Sequence, residues 1–248
     1  MTPRTIRSIL AGKFVATLWL SLIFTGPASA STILIDDFVT PQSVTATASS
    51  PVAFSSVPAP EAIGGERDME LSLTGGFTSL SLSSNPFGGE LLVHDSGATV
   101  TGSSVAVWDG PDANSAINYT GLGGVDLSTG LDAFMLNGLI ADLAGEISVT
   151  VFDASDATGG TSSTSTLSLP GGMLVPTDVA LPYASFTLAG INGAADFANI
   201  GAIRLAISNE TSGSLDVLIG SITAVPEPSS ALGLITACFA GLGMLRRR

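Results

Sequence analysis

The strongest constraint on the fold is a set of short segments in which apolar and polar residues alternate. Apolar side chains recur at every second position in three such segments: Ile147, Val149 and Val151; Ile203, Leu205 and Ile207; Leu215, Val217 and Ile219. Successive side chains of a strand point to opposite faces, so this spacing predicts strands with one buried face. Segments rich in Gly, Ser, Thr and Pro separate them. The sequence therefore predicts an all-β domain, an antiparallel two-sheet β-sandwich.

Further segments are predicted to be strands, and one segment could be either a strand or a short helix. Further strands are predicted at residues 33–38, 69–73, 90–94, 98–108, 163–169 and 184–188. The segment 131–143 (LDAFMLNGLIADL) suits a short helix instead, because its apolar residues do not keep strict alternation.

The charges are unevenly distributed. Between residues 31 and 225 there are 20 acidic residues and 2 basic ones, Arg67 and Arg204, which gives a net charge of −18. Nucleic acids bind through Lys and Arg, so this balance excludes a nucleic-acid partner. Two interpretations of the acidity stay open: a solvated, soluble surface, or acids that bind a divalent cation.

The N-terminus has the organisation of a secretory signal. Three basic residues precede an apolar segment at 14–24, and Ala28-Ser29-Ala30 has the small-x-small pattern that signal peptidase accepts. We therefore expect a signal helix within residues 1–30, cleavage after Ala30 and export. The alternative is an uncleaved anchor.

The C-terminus combines three features in a fixed order. Pro226-Glu227-Pro228 precedes an uncharged segment at 229–245, and Arg246, Arg247 and Arg248 follow it. As a helix the uncharged segment is roughly 25 Å long, enough for a single transmembrane helix in a slightly thinned bilayer. The arginines place its end on the cytoplasmic side, so the domain faces outward.

This tail resembles the PEP-CTERM family of bacterial sorting signals over residues 225–248. The resemblance implies an exosortase, an integral-membrane protease-transpeptidase, that recognises Pro226, Glu227 and Pro228 and removes the helix. It also implies a cell-surface or extracellular location, membrane-anchored before processing, in a bacterium that makes exopolysaccharide. The alternative is a plain tail anchor.

The domain at 31–224 resembles jelly-roll domains of the galactose-binding or carbohydrate-binding type. The residues that carry this resemblance are Asp36-Asp37-Phe38, the stretch 64–68, and the segments 199–203 and 214–217. The resemblance implies that the first and last strands pair and that the last two segments form a hairpin. It also implies a structural calcium ion near that junction, with Asp36, Asp37 and Asp216 as ligands. Solvated surface carboxylates are the alternative.

Few residues in the domain offer catalytic chemistry. It has one histidine, His94, and no cysteine or lysine, which excludes zinc sites of the usual His and Cys ligands. A Ser-His-Asp triad would have to use His94 as its histidine. We expect His94 to be an ordinary strand-end residue. A glycosidase-like carboxylate pair stays open among five acids: Asp36, Asp37, Glu66, Asp68 and Asp216. The sequence predicts a protein that is not an enzyme.

Two functions follow. The first is a non-catalytic surface or matrix protein, sorted by its tail and associated with exopolysaccharide. The second is a carbohydrate-binding module in which Trp108 stacks on a sugar ring. A core position is the alternative for Trp108.

Overall fold

The computed structural model describes residues 31–210 and 213–226. Fifteen strands lie in these ranges: β1 (Ile33–Asp36), β2 (Gln42–Thr47), β3 (Val52–Pro58), β4 (Glu66–Gly75), β5 (Ser79–Ser84), β6 (Leu92–Ser96), β7 (Thr101–Trp108), β8 (Ala133–Ala141), β9 (Ala144–Asp153), β10 (Ser162–Pro170), β11 (Met173–Pro182), β12 (Thr187–Leu188), β13 (Ile200–Ser208), β14 (Asp216–Ile219) and β15 (Ser221–Val225). Short 3-10 turns lie at Ile63–Gly65, Pro86–Gly88 and Tyr183–Ser185. The all-β prediction is confirmed.

The strands form two antiparallel sheets. One has eight strands in the order β1-β15-β8-β14-β6-β5-β2, with β11 on the other edge of β8, and the second has the order β12-β10-β9-β13-β7-β4-β3. The first and last strands pair, with Ile33 opposite Ala224. The two-sheet sandwich and the pairing of its end strands are therefore as predicted.

The core lies between the sheets and contains the alternating residues found in the sequence. Ile147, Val149 and Val151 on β9 are buried, and so are the alternating apolar residues of the other two segments: Ile203, Leu205, Ile207, Leu215, Val217 and Ile219. Each such side chain contributes about 1.5–3 kcal/mol when it leaves water. The alternation therefore identifies the face of each strand that packs against the other sheet.

The segment 131–143 is a strand, not a helix. Phe134 and Leu136 face the core before Gly138, and Leu139 and Ala141 face it after. Gly138 has a φ of +64°, which only glycine adopts readily, and it shifts the alternation by one residue. The resulting apolar spacing of two, three and two residues is what makes the sequence suit a helix.

The predicted hairpin between 199–203 and 214–217 is wrong. Strand β13 belongs to the seven-stranded sheet and β14 to the eight-stranded one, so the chain changes sheets between them. Fully buried Asn209 holds the start of this crossing: its Oδ1 accepts from Gly102 N at 2.7 Å and its Nδ2 donates to Ser96 Oγ at 2.9 Å.

Several predicted features lie outside the described residues: the signal segment 1–30 with Ala28 and Ala30, residues Glu227 and Pro228, the membrane helix at 229–245, and Arg246, Arg247 and Arg248. Among the residues that the structure does describe, no helix has the length and apolar character needed to span a bilayer.

Candidate functional site

The sorting motif begins directly at the end of the last strand. Pro226 follows Val225, the final residue of β15, and Val225 lies opposite Ala133 on β8. On its other side β15 pairs with β1, so Ile33 and Ala224 are neighbours. The two points at which the chain enters and leaves the sandwich are therefore side by side.

A buried ion pair lies between the sheets behind this junction. Arg67 of β4 is fully buried, and its Nη1 donates to Asp36 Oδ2 at 2.8 Å. The rest of the guanidinium donates to Gln42 Oε1 at 2.9 Å, and to Thr40 O and Ser84 Oγ at 2.7 Å each. Every nitrogen of the guanidinium therefore has an acceptor, as a buried charge requires.

Trp108 completes this network from the seven-stranded sheet. Its Nε1 donates to Asp36 Oδ2 at 2.8 Å, and the side chain is fully buried. Phe38 N donates to the other oxygen of Asp36 at 2.7 Å. A buried indole offers no face to a sugar, so the stacking predicted for Trp108 does not fit this structure, and its alternative core position does.

The three predicted calcium ligands do not converge. Asp36 and Asp37 lie with Glu61, their nearest carboxylate oxygens all within 4.8 Å of one another. Asp216 lies on β14, six residues along the chain from Ile222, the pairing partner of Asp36, which is about 20 Å in an extended strand. Asp36 is moreover already paired with Arg67. The predicted set of Asp36, Asp37 and Asp216 therefore cannot share one ion.

Asp216 has a different acidic environment. It pairs directly opposite Asp95, and its backbone N donates to Asp142 Oδ1 at 2.7 Å. Burial raises the pKa of its carboxyl, a hydrogen bond from Ser96 N opposes this, and the charges of Asp142 and Asp95 raise it further.

A second group of acids, named here the outer acidic cluster, comprises Glu66, Asp68, Asp109 and Asp112. Glu66 and Asp68 flank Arg67 on β4 and point to the opposite face from it, away from the core between the sheets. Asp109 and Asp112 come from the loop after β7. Glu66 Oε1 accepts from Asp112 N at 2.9 Å and from Ala113 N at 2.8 Å, which docks the loop on the strand.

The outer acidic cluster concentrates negative charge under this loop. Glu66 and Asp68 are 5% exposed and Asp109 is 1% exposed. Burial raises the pKa of Asp68 to about 6; a hydrogen bond from the Ser56 hydroxyl opposes this rise, and the charges of Glu66 and Asp112 add to it. Burial and the charges of Asp68, Asp112 and Glu66 raise the pKa of Asp109 to about 7, although Asn118 N donates to its Oδ2 at 2.6 Å. Like charges this close make full ionisation costly.

His94 is a core residue in the middle of β6, not a strand-end residue. Its Nδ1 lies 2.7 Å from Ser104 Oγ on the facing sheet. Burial lowers the pKa of His94 to about 4, so the ring is neutral at physiological pH. It has no solvent-facing nitrogen for proton exchange with a substrate.

An open groove of about 440 Å³ lies at the β2–β5 edge of the eight-stranded sheet. Its lining consists of Pro41, Gln42, Ser43, Ser83, Ser84, Asn85, Pro86 and Phe87. The Phe87 side chain is fully exposed, and both Asn85 and Phe87 adopt positive φ, +49° and +58°. Asparagine tolerates this left-handed backbone, whereas it is uncommon and strained for a bulky residue such as Phe87. Sequence analysis missed this groove because Asn85-Pro86-Phe87-Gly88 has the composition of an ordinary turn.

Similar solved structures are mostly sugar-binding β-sandwiches of low identity. A family 11 carbohydrate-binding module from Clostridium thermocellum, in complex with a β-1,3-1,4-mixed-linked tetrasaccharide, has 12% identity and a TM-score of 0.43, over 80% of this chain and 98% of that one. The module TmCBM61, in complex with β-1,4-galactotriose, has 8% identity and a TM-score of 0.31, over 77% and 92%. At such scores these similarities assign this chain no ligand.

Sequence comparison identifies the tail. A search of the curated proteins found no match. The family model described as PEP-CTERM protein-sorting motif matches residues 224–248. This confirms the resemblance predicted from the order of Pro-Glu-Pro, uncharged segment and arginines. The last strand of this sandwich therefore leads directly into a PEP-CTERM protein-sorting motif.

Proposed function

We propose that the protein is an exported, non-catalytic surface or matrix protein that an exosortase processes through Pro226, Glu227 and Pro228. The observation that carries this proposal is the match of the sorting motif to residues 224–248. The predicted signal segment at 1–30 supports export of the domain that precedes the motif.

The position of the motif supports processing close to the folded domain. Pro226 follows a residue that is still paired in the sheet, with Asp132 N donating to Val225 O at 2.9 Å. Proline fixes φ and donates no hydrogen bond, so the pairing of β15 ends at Pro226, the first residue of the motif. Because Ile33 and Ala224 are neighbours, a domain tethered by either end presents its opposite end to the surroundings.

An exopolysaccharide matrix is the proposed destination. The domain carries a net charge of −18 between residues 31 and 225, which repels anionic surfaces and keeps it soluble. We therefore expect association with neutral polysaccharide, or with anionic polysaccharide bridged by divalent cations.

Intact mass of the protein from the host's envelope and medium tests the processing. We expect the first 30 residues and everything after the Pro226–Pro228 region to be lost. Changing Pro226, Glu227 and Pro228 together to alanine should leave exported protein that keeps its tail. Pro176→Ala, at an exposed proline of β11, is the matched control and should be processed normally. Normal processing of the triple variant would exclude the proposed recognition.

A second candidate function, binding of a defined extracellular glycan, is favoured by the exposed Phe87. Sugars are bound by an aromatic face together with hydroxyl and amide groups, and the groove beside Phe87 combines these with a volume in the range of ligand pockets. This replaces Trp108 as the stacking residue, because Trp108 is buried.

Affinity electrophoresis in gels containing polysaccharide tests this second function. We expect Phe87→Ala to abolish retardation. Phe77→Ala removes another almost fully exposed phenylalanine, 96% exposed, in the β4–β5 turn outside the groove, and should leave retardation unchanged. Equal effects of the two substitutions, or no retardation by any polysaccharide, would remove the case for this groove.

A further inference from the structure

We propose that Glu66, Asp68 and Asp112 bind a divalent cation of the calcium class, with the hydroxyl of Ser56 beside them. This site is distinct from the predicted set of Asp36, Asp37 and Asp216. It is also distinct from the groove at Phe87.

The spacing of the three carboxylates suits a calcium ion. Each offers an oxygen, and these oxygens all lie within 4.8 Å of one another. Calcium binds six to eight oxygens at about 2.3–2.6 Å, so two ligands on opposite sides of one ion are at most about 5 Å apart. Smaller Mg²⁺ demands a tighter octahedron and keeps more of its water.

A buried carboxylate oxygen at this place lacks a partner. Asp68 Oδ1 is inaccessible to solvent and accepts no well-aligned hydrogen bond. The buried Ser56 hydroxyl beside it is shared between the carboxylates of Asp68 and Glu66, whose pKa values it lowers. Ser56 and Asp68 face each other across the β3–β4 pair. A buried acceptor left unsatisfied costs about 1–3 kcal/mol, and more when it is charged, so Asp68 Oδ1 points to a bound species that satisfies it.

The charge of the outer acidic cluster indicates that this species is a cation. In the described part of the chain the one salt bridge joins Arg67 to Asp36, on the opposite face of β4. A water molecule would give Asp68 a hydrogen bond but would leave the charge unbalanced, whereas a divalent cation would coordinate the carboxylate oxygens and balance their charge.

The position of the ligands also indicates what the ion does. Glu66 and Asp68 belong to β4, and Asp112 belongs to the loop between β7 and β8. Ile117 of the same loop packs on Val105, Val107 and Ala206, a small apolar patch on the outer face of the sheet. The cation therefore fastens the loop over this patch and stabilises the fold.

Calorimetric titration of the metal-free, full-length protein with CaCl₂ tests the proposal, with thermal unfolding as the second measurement. We expect one site, with a Kd on the order of 10⁻⁴–10⁻³ M as in extracellular calcium modules. A hundredfold excess of Ca²⁺ over Kd should raise Tm by on the order of 5 °C. Mg²⁺ at the same concentration should raise it less.

Asp68→Asn separates this site from a general effect of calcium. It should weaken binding at least tenfold and abolish the rise in Tm, while its metal-free form is at least as stable as the metal-free parent because one repelling charge is gone. Asp37→Asn is the matched control: Asp37 also has a buried oxygen without a partner, in the separate group with Asp36 and Glu61, and it should bind normally.

Three outcomes would overturn the proposal: no calcium binding by the parent, full binding by Asp68→Asn, or loss of binding in Asp37→Asn instead. Should Asp68→Asn fail to fold, Asp112→Asn on the partly exposed loop tests the same ligand set.

Discussion

The acids that lie against the two faces of strand β4 are in opposite electrostatic situations. On the inner face, Asp36 has a guanidinium, an indole N–H and a backbone N–H as partners. On the outer face, Glu66 and Asp68 lie with two more acids, and the one salt bridge in the described part of the chain is elsewhere. The first group includes its own counter-ion, whereas in the second group backbone N–H groups stabilise Glu66 and no salt bridge among the described residues reaches Asp68 or Asp109.

The difference arises from the geometry of a strand. Glu66, Arg67 and Asp68 are consecutive, so in sequence they form a balanced charge pattern. Alternation sends Arg67 to one face and its two acidic neighbours to the other. Opposite charges next to each other in a strand therefore do not neutralise each other, and each face must find its own partner.

Removing the inner cation should have the largest effect. Arg67→Met leaves Asp36 buried without its counter-ion, and breaking a buried pair in this way costs about 3–5 kcal/mol. Chemical denaturation would measure the loss. The double variant Asp36→Asn with Arg67→Met should recover part of it, because an amide carries no charge and its oxygen still accepts from Trp108. A loss below about 1 kcal/mol in the single variant would show that the pair does not hold the sheets together.

Acid should destabilise the core through His94. Its pKa is about 4 in the folded protein and about 6.5 when unfolded. A lowered histidine pKa means that the unfolded chain binds the extra proton first, so stability falls as pH drops from 6.5 towards 4. A difference of 2.5 pKa units corresponds to about 3 kcal/mol.

His94→Gln serves as the control because it does not titrate. Its free energy of unfolding should change with pH less than that of the parent between pH 6.5 and 4. Parallel pH profiles for the two proteins would assign the acid sensitivity to other groups.

The sequence revealed the parts of the fold that depend on local alternation. The alternating residues predicted at 147–151 and 203–207 lie within strands β9 and β13. Strands β2, β3 and β5 are not predicted: β5 alternates, with Leu80 and Leu82 buried, but it is short and rich in serine like the turns around it, and β2 and β3 have few large apolar residues. Strand β11 is not predicted because most of its side chains are exposed. The bulge at Gly138 concealed β8 by changing its period.

The sites were less accessible from sequence because they are assembled over long separations. Arg67 and Trp108 lie 31 and 72 residues from Asp36, and no local pattern indicates that they meet. Glu66 and Asp68 were singled out as acids, but Asp112 lies in a Gly-Pro-Asp turn that has the composition of a solvated loop. Only the pairing of β4 with β7 places this turn against them.

The smallest effect should come from relieving repulsion in the outer acidic cluster. Asp109 has a pKa of about 7 when folded and about 3.9 when unfolded. A raised carboxyl pKa means that the folded protein binds the proton first, so this group favours folding increasingly as pH falls from about 8 towards 4. In metal-free protein at pH 8, Asp109→Asn should therefore stabilise the fold by about 1–2 kcal/mol. This is less than the full difference between the two pKa values would give, because the neighbouring acids change their own protonation when Asp109 is replaced. The asparagine oxygen still accepts from Asn118 N, and the gain should disappear near pH 4.

Asp132→Asn, at an exposed acid outside the outer acidic cluster, is the matched control and should change stability by less than about 0.5 kcal/mol. Saturating Ca²⁺ should reduce the gain from Asp109→Asn, because the bound cation already balances the charge that the substitution removes. An equal gain with and without Ca²⁺ would mean that Asp109 is electrostatically independent of Glu66, Asp68 and Asp112. The two faces of β4 would then differ only in burial, and not in how their charge is balanced.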